Sequence, residues 1–353
     1  MYLTDQQFVS TISLHLCTPF PKARFGRILP DMASLLLPLA AVLAAPAASP
    51  PLDAALAQIT IAPPTPPPLP VPDEAMLALG AEAGRMTVPV SINTRGPWNF
   101  IIDTGAERTV VSRELAGVLG LAAGPPLRVI AMTGPSVVGS VVVPRLSVST
   151  IARETIEAPA LGARDLGAVG MLGIDALQGH AVAIDFDKSR MTLRPAKRRS
   201  RAAAEPGEIV VTARSLYGQL IVTDAFWHGQ RISVVIDTGS PVTLGNSALL
   251  AAISRRPRLI GPMEMTSATG GKLTATAFAV DRLTVGGIDF RDVPIAFTDV
   301  PPFARFGLAK TPALLLGMDV LKLFRQVNID FANREIRFAL PRGMIDQGYR
   351  AAS

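Results

Sequence analysis

Apolar and polar positions alternate with a period of two through much of this chain, and the alternation predicts strands. "MTVPVSI" (86–92) alternates cleanly, and "QLIVTDAFW" (219–227) is rich in β-branched and aromatic residues. Each leads through a glycine-containing turn (Arg95-Gly96, His228-Gly229) into an aliphatic run, Ile101-Ile102 or Val235-Ile236. Each of those runs stops abruptly at an aspartate, Asp103 or Asp237. Further on, "VAIDFDKSRMTLR" (182–194) and "VNIDFANREIRF" (327–338) predict hairpins with polar turns at 187–189 and 332–334. Helical stretches are short: one over 112–120 with Ser112 as its cap, and one after each of Gly173 and Gly317. The class is mainly β, in two similar lobes.

The pieces repeat in order. The Asp-Thr-Gly elements at 103 and 237 lie 134 residues apart, the Leu-Gly-x-Asp elements at 173 and 317 lie 144 apart, and the Asp-Phe pairs at 185 and 330 lie 145 apart. Loops absorb differences of that size, so the spacing indicates an internal duplication. Residues 76–195 form the first predicted lobe and 207–341 the second. They are joined by a basic linker at 196–206 and followed by a tail at 342–353. Residues 49–75, including "ITIAPPTPPPLPVPDE" (59–74), predict a proline-rich linker without a core of its own.

Residues 1–48 read as an export segment. Lys22, Arg24 and Arg27 precede an apolar run from Leu35 to Ala45 and an Ala45-Pro46-Ala47 site. That run is short for a membrane span and is broken by Pro38. The expected location is periplasmic or secreted, or membrane-anchored if the segment stays uncleaved; an alternative start at Met32 fits the same pattern. The single cysteine, Cys17, lies in this segment. The mature chain is therefore expected to lack disulfides, thiolate metal sites and a thiol nucleophile. The formal net charge is +6, but much of the excess sits in "KRRSR" (197–201) and "RRPR" (255–258), which lack interleaved aromatics. These read as solvated loops, and no nucleic-acid partner is expected.

A lone buried carboxylate is costly. Two that face each other across a pseudo-twofold axis can share one proton, because like charges at contact distance cannot both ionise cheaply. The ionised member then activates a water while the protonated member polarises a carbonyl, chemistry that hydrolyses an amide without metal or cofactor. Asp103 and Asp237 are the candidates. Gly105 and Gly239 permit tight turns that leave backbone N–H groups near the carboxylates, and Thr104 and Thr238 can bond across the interface. Ser240 can donate to the outer oxygen of Asp237, whereas Ala106 cannot do so for Asp103. On that difference Asp237 is expected to ionise first. Asp185 and Asp330 read as turn caps, Asp175 and Asp319 as helix caps, and Trp98 and Trp227 as core or lobe-surface aromatics. Beyond the export segment the histidines are His180 and His228, too few and too separated for a metal cluster. A Gly-x-Ser-x-Gly elbow and a phosphate loop are both absent from the sequence.

Asp-Thr-Gly behind an apolar strand, with Leu-Gly-x-Asp downstream, each present twice, resembles the aspartic peptidases of retropepsin-like and pepsin-like type. The resemblance covers about 85–194 and 208–338. It implies two acid-protease-type β-barrel lobes with the active site in the cleft between them, built here from one chain and functioning as a monomeric pseudo-dimer. It also implies Asp103 and Asp237 as the catalytic pair, Thr104 and Thr238 as interlocking threonines, and a peptide or protein substrate. The arginine that follows the second-motif glycine in retroviral enzymes is replaced by Ile174 and Met318, and "RVIAMTGPSVVGSVVV" (128–143) carries no flap tyrosine. Flap tips are expected at Thr133-Gly134 and at Thr269-Gly270-Gly271. The implied function is an exported aspartic endopeptidase, with acid-optimal activity as the default; the alternative is a non-catalytic peptide- or envelope-binding protein on the same scaffold.

Overall fold

The computed structural model describes residues 8–9, 15–16, 75–82, 84–149, 151–196, 204–205, 207–253, 257–285 and 288–342. The proline-rich segment before residue 75, the "KRRSR" run and the tail beyond 342 lie outside the described residues. So do residues 1–48, read above as an expected export segment, apart from Phe8–Val9, whose backbone pairs in parallel with Met265 and Thr266, and His15–Leu16, which pairs antiparallel with Val129 and Ile130. Among the described residues no helix is long and apolar enough to cross a membrane.

The duplication is reproduced strand by strand. In the first lobe Arg85–Ile92 pairs antiparallel with Arg95–Ile102, which pairs in parallel with Gly170–Leu172. Val110–Ser112, Ile151–Leu161, Gly134–Val148 and Ala123–Ala131 follow in that order across the sheet. In the second lobe Gln219–Trp227, Gln230–Ile236, Ala313–Leu316, Leu244–Gly245, Val293–Phe297, Lys272–Val280 and Arg258–Thr266 repeat the order and sense of pairing. The register matches as well. Ile102 faces Leu172 and Ile236 faces Leu316, and the main-chain N–H of each following aspartate donates to that leucine's carbonyl at 3.0 Å.

The hairpins at 182–194 and 327–338 do more than close their own lobes. His180–Asp185 pairs with Gln326–Asp330, centred on Ala183 opposite Asn328, so the two hairpins form one sheet across the molecule. Ala75–Ala78, Arg190–Pro195, Glu335–Ala339 and the first half of Glu208–Leu216 complete it. Its period-two pattern buries Val182, Ile184, Val327, Ile329, Ile336 and Phe338 beneath both lobes. Arg337 lies between Glu335 and Glu208 on this sheet, at 2.6 and 2.8 Å.

Local signals held in most places. Ser112 caps the helix Arg113–Leu119 by accepting from Leu115 N at 3.1 Å, and Gly120 closes it with a left-handed φ of 64°. The first hairpin turn falls at Asn93-Thr94 rather than at Arg95-Gly96. Asn93 takes the left-handed conformation (φ 56°), which asparagine tolerates, and Gly96 sits inside the following strand against the Trp98 ring. The second turn is at His228-Gly229 as expected. Trp227 is buried and Trp98 half-buried against the core.

Candidate active site

Each aliphatic strand delivers its aspartate to the interface between the lobes, and there the two turns grip one another. Thr104 Oγ1 donates to the Ile236 carbonyl (2.9 Å) and accepts from Thr238 N (3.2 Å). Thr238 Oγ1 donates to the Ile102 carbonyl (2.8 Å) and accepts from Thr104 N (3.1 Å). This reciprocal set holds the carboxyls together. Asp103 and Asp237 are both 0 % exposed, and a Cβ at Gly239 would lie inside 3.0 Å of the Asp103 carboxyl. Asp103 Oδ1 accepts from Gly105 N (2.7 Å) and Ala106 N (2.9 Å), and Asp237 Oδ1 accepts from Gly239 N (3.0 Å). The two Oδ2 atoms are buried and accept no hydrogen bond from the described residues.

Burial drives the electrostatics. It raises the Asp103 carboxyl to about 7, while the Gly105 N–H, the Arg85 guanidinium and the Ala106 N–H hold it from going higher. Asp237 is raised well above the ordinary carboxylate value, first by burial and then by the charge of Asp103. Both carboxyls are thus pushed toward the neutral form, and a charge on either one makes a charge on the other more costly. The Ser240 hydroxyl does not serve the outer oxygen of Asp237 as expected, because Ser240 Oγ donates to the Val242 carbonyl (2.6 Å) within its own loop; the Gly239 N–H and, after it, the Ser240 backbone N–H are what hold the Asp237 carboxyl down.

Behind each turn stands a support that sequence reasoning assigned differently. Asp175 and Asp319 lie within the short helices Ile174–Leu177 and Met318–Leu321, whose N-caps are Gly173 and Gly317. Asp175 Oδ1 accepts from Thr109 N (2.9 Å) and Thr109 Oγ1 (2.7 Å). Asp319 accepts from Thr243 Oγ1 (2.6 Å) and Thr243 N (3.0 Å). The same threonine hydroxyls accept from Gly173 N (3.2 Å) and Gly317 N (3.0 Å), tying each Leu-Gly segment to the loop beyond its aspartate. Close approach explains both glycines. A Cβ at Gly173 would lie inside 3.0 Å of the Arg108 backbone, and one at Gly317 inside 3.0 Å of the Val242 backbone. The sequence signal was available, since a threonine stands six residues after each Asp-Thr-Gly aspartate. Asp185 and Asp330 do cap their turns, accepting from Lys188 N and Asn333 N.

Thr243→Val is expected to cost about 1–3 kcal/mol in chemical denaturation, because it leaves the Asp319 carboxylate, largely out of water, without its hydroxyl donor. Thr109→Val is expected to do the same in the first lobe.

Turns fall at both expected flap positions, with one adjustment. Gly134 begins a strand, so the first turn is Met132-Thr133; the second spans Ala268, Thr269 and Gly270. The tips meet, since a Cβ at Gly271 would lie 2.6 Å from Thr133 Oγ1. They also cross. Met132 packs among second-lobe residues Ile221, Val242, Met265, Phe303 and Leu308, while Ala268 packs among first-lobe residues Ala106, Val110, Leu161 and Leu166. Each turn is thus packed into an apolar cluster of the opposite lobe. Glu107, next after the first turn, pairs with Arg305 of the second lobe at 3.5 Å; the second turn carries Pro241 at that place.

His180 lies on the interlobe sheet and His228 in an exposed turn, and among the described residues no group of three or more His, Cys, Asp or Glu side chains is placed to hold a metal ion. Residues 88–179 match the family model described as "gag-polyprotein putative aspartyl protease", and residues 223–320 match the one described as "Aspartyl protease". Comparison with curated proteins gives no match.

Proposed function

Because this chain belongs to the retropepsin-like aspartic peptidases and carries two lobes in tandem, we propose that it is an endopeptidase whose Asp103–Asp237 pair activates water against a peptide bond. The observation that carries this reading is the coupled pair of fully buried carboxyls, locked together by Thr104 and Thr238. An extended peptide lies between the flaps and the pair, bonding to flap backbone and filling the apolar walls with its side chains.

The chemistry runs on one shared proton. The ionised member of the Asp103–Asp237 pair takes a proton from the attacking water as the water oxygen bonds to the carbonyl carbon, and its protonated partner gives its proton to the carbonyl oxygen. In the resulting gem-diol, the first carboxyl passes the proton it gained to the amide nitrogen. The C–N bond breaks, and a diol hydroxyl returns a proton to the second carboxyl. Each carboxyl ends as it began, and one water is consumed per bond. The lobes are taken as 76–195 and 207–341, and the basic, apolar and small-residue pattern over 22–47 supports export to the periplasm or beyond.

Digestion of a peptide library by the purified chain, with and without a pepstatin-type inhibitor, tests the proposal by mass spectrometry. Cleavage suppressed by the inhibitor is the expected result. Peptides that bind and are recovered uncut would instead make the protein a non-catalytic binder.

A further inference from the structure

The loops that receive the two flaps are unequal. Residues 162–169 join Ile151–Leu161 to Gly170–Leu172 in the first lobe, and residues 298–312 join Val293–Phe297 to Ala313–Leu316 in the second. The second connection is seven residues longer. It holds the short helix Pro301–Arg305, opened by two prolines, and folds back on itself where Leu308 N donates to the Phe303 carbonyl at 2.7 Å. Its anchor is Asn246. Ser112 and Asn246 each stand nine residues after an aspartate of the pair, and each caps the helix that follows. Asn246 is 0 % exposed and does more than cap. Its Oδ1 accepts from Leu249 N (2.9 Å) and Ala313 N (3.2 Å), and its Nδ2 donates to the Leu308 and Thr311 carbonyls, both at 2.8 Å. An amide at this place thus pins the longer loop to the body of its own lobe.

The other face of that loop grips the first lobe. Its helix packs on the flap strand Ala123–Ala131, and Phe303, Phe306 and Leu308 share one buried cluster with Met132 of the flap turn. Arg305 pairs with Glu107 of the first lobe at 3.5 Å and lies 3.5 Å over the Tyr217 ring, so the helix is held on its polar side as well. The second flap is received with less. Its turn brings Ala268 into a cluster with Leu166 and Ala168 of the shorter loop, while Ser267 and Thr269 bond to each other at 3.2 Å. Hydrophobic stabilisation follows the apolar area buried, and an alanine offers one methyl group where a methionine offers a long, adaptable thioether chain.

We propose that the 298–312 loop is a one-sided clasp: it keeps the first flap seated on the second lobe, so the cleft opens by lifting the second flap, and a peptide enters beneath the 268–270 turn. The entering peptide rests on the peptidase reading; the inequality of the flaps does not. In a cleft with matched seats either flap can lift first. Here the first flap must leave an aromatic seat that the second flap has no counterpart for, and local opening follows the weaker packing.

The test requires no substrate. Amide hydrogen exchange of the full-length protein is followed by mass spectrometry over fragments that span 128–136 and 264–272. In the unaltered protein the second flap is expected to exchange about tenfold faster than the first. Met132→Ala and Phe303→Ala, which thin the seat from either side, are expected to speed exchange of the first flap by about tenfold and to leave the second as it was. Arg305→Gln, which spares the apolar seat, gives a milder variant should Phe303→Ala not fold, with a rise of about threefold at the first flap alone. Equal exchange at the two flaps of the unaltered protein, an unmoved first flap in the variants, or an equal acceleration of both flaps, as general loosening would give, would overturn the proposal. The exchange pattern does not depend on cleavage: unequal flaps in a protein that leaves every library peptide uncut would uphold the clasp and remove the peptidase reading.

Discussion

Asp103→Asn and Asp237→Asn are each expected to lower peptide hydrolysis by about a thousandfold or more while the protein stays folded. The fold survives because an asparagine oxygen can still accept the backbone N–H bonds of its turn, from Gly105 and Ala106 at the first site and Gly239 at the second. Activity does not survive, because asparagine neither takes a proton from water nor delivers one to a carbonyl. The variants also carry a signature in stability. Both carboxyls have folded-state pKa values raised by burial, so the neutral form is favoured in the folded protein. Their stabilising contribution is complete below the unfolded value near 3.8 and is lost as pH rises through the folded value, about 7 for Asp103. Asp103→Asn should therefore gain stability relative to the unaltered protein as pH rises from 4 to 8, and lose that gain as pH falls back to 4. Thermal melts at the two pH values check this. The same burial moves the acid limb of the rate profile upward, away from the strongly acidic optimum that the family resemblance suggests by default.

Gly239→Ala is expected to abolish activity and destabilise the protein by about 2 kcal/mol or more. The added methyl group would lie inside 3.0 Å of three Asp103 carboxyl atoms. That carboxyl has no room to retreat, since two N–H groups of its own turn hold it and the threonine pair clamps both turns. Relief requires the lobes to part or the pair to rotate out of register, and either outcome separates the shared proton from its second owner. Gly117→Ala is the control. Gly117 is exposed on the helix Arg113–Leu119 with nothing near its added Cβ, and alanine there should stabilise slightly, by about 0.5–1 kcal/mol. Parallel melts and activity measurements on the two variants separate a crowded active-site glycine from an ordinary one.

Most of the strand framework could be read from the pattern, because one-sided burial imposes alternation and the duplication supplies each signal twice. Reciprocal bonding of Thr104 and Thr238 was readable for the same reason. What escaped was information held in pairing rather than in sequence. Nothing local in "VAIDF" or "VNIDF" says that these strands will pair with each other across the molecule. The partner of Asp175 could have been inferred from the repeated threonine, but an aspartate near a helix start looks like a cap until Thr109 is seen to reach it. The hydroxyl bond expected at the outer oxygen of Asp237 failed on a single rotamer, since a serine hydroxyl can turn to either of two acceptors and Ser240 turns to Val242.

The most direct test of the central claim is a single-turnover digestion of a cleavable library peptide in ¹⁸O-enriched water, read by mass spectrometry of products and protein. With both carboxyls present, one ¹⁸O atom is expected in the new carboxyl terminus, with no adduct on the protein and no product from either asparagine variant. Cleavage that persists in Asp237→Asn at a rate near that of the unaltered protein, or a covalent acyl-protein adduct, would contradict the account.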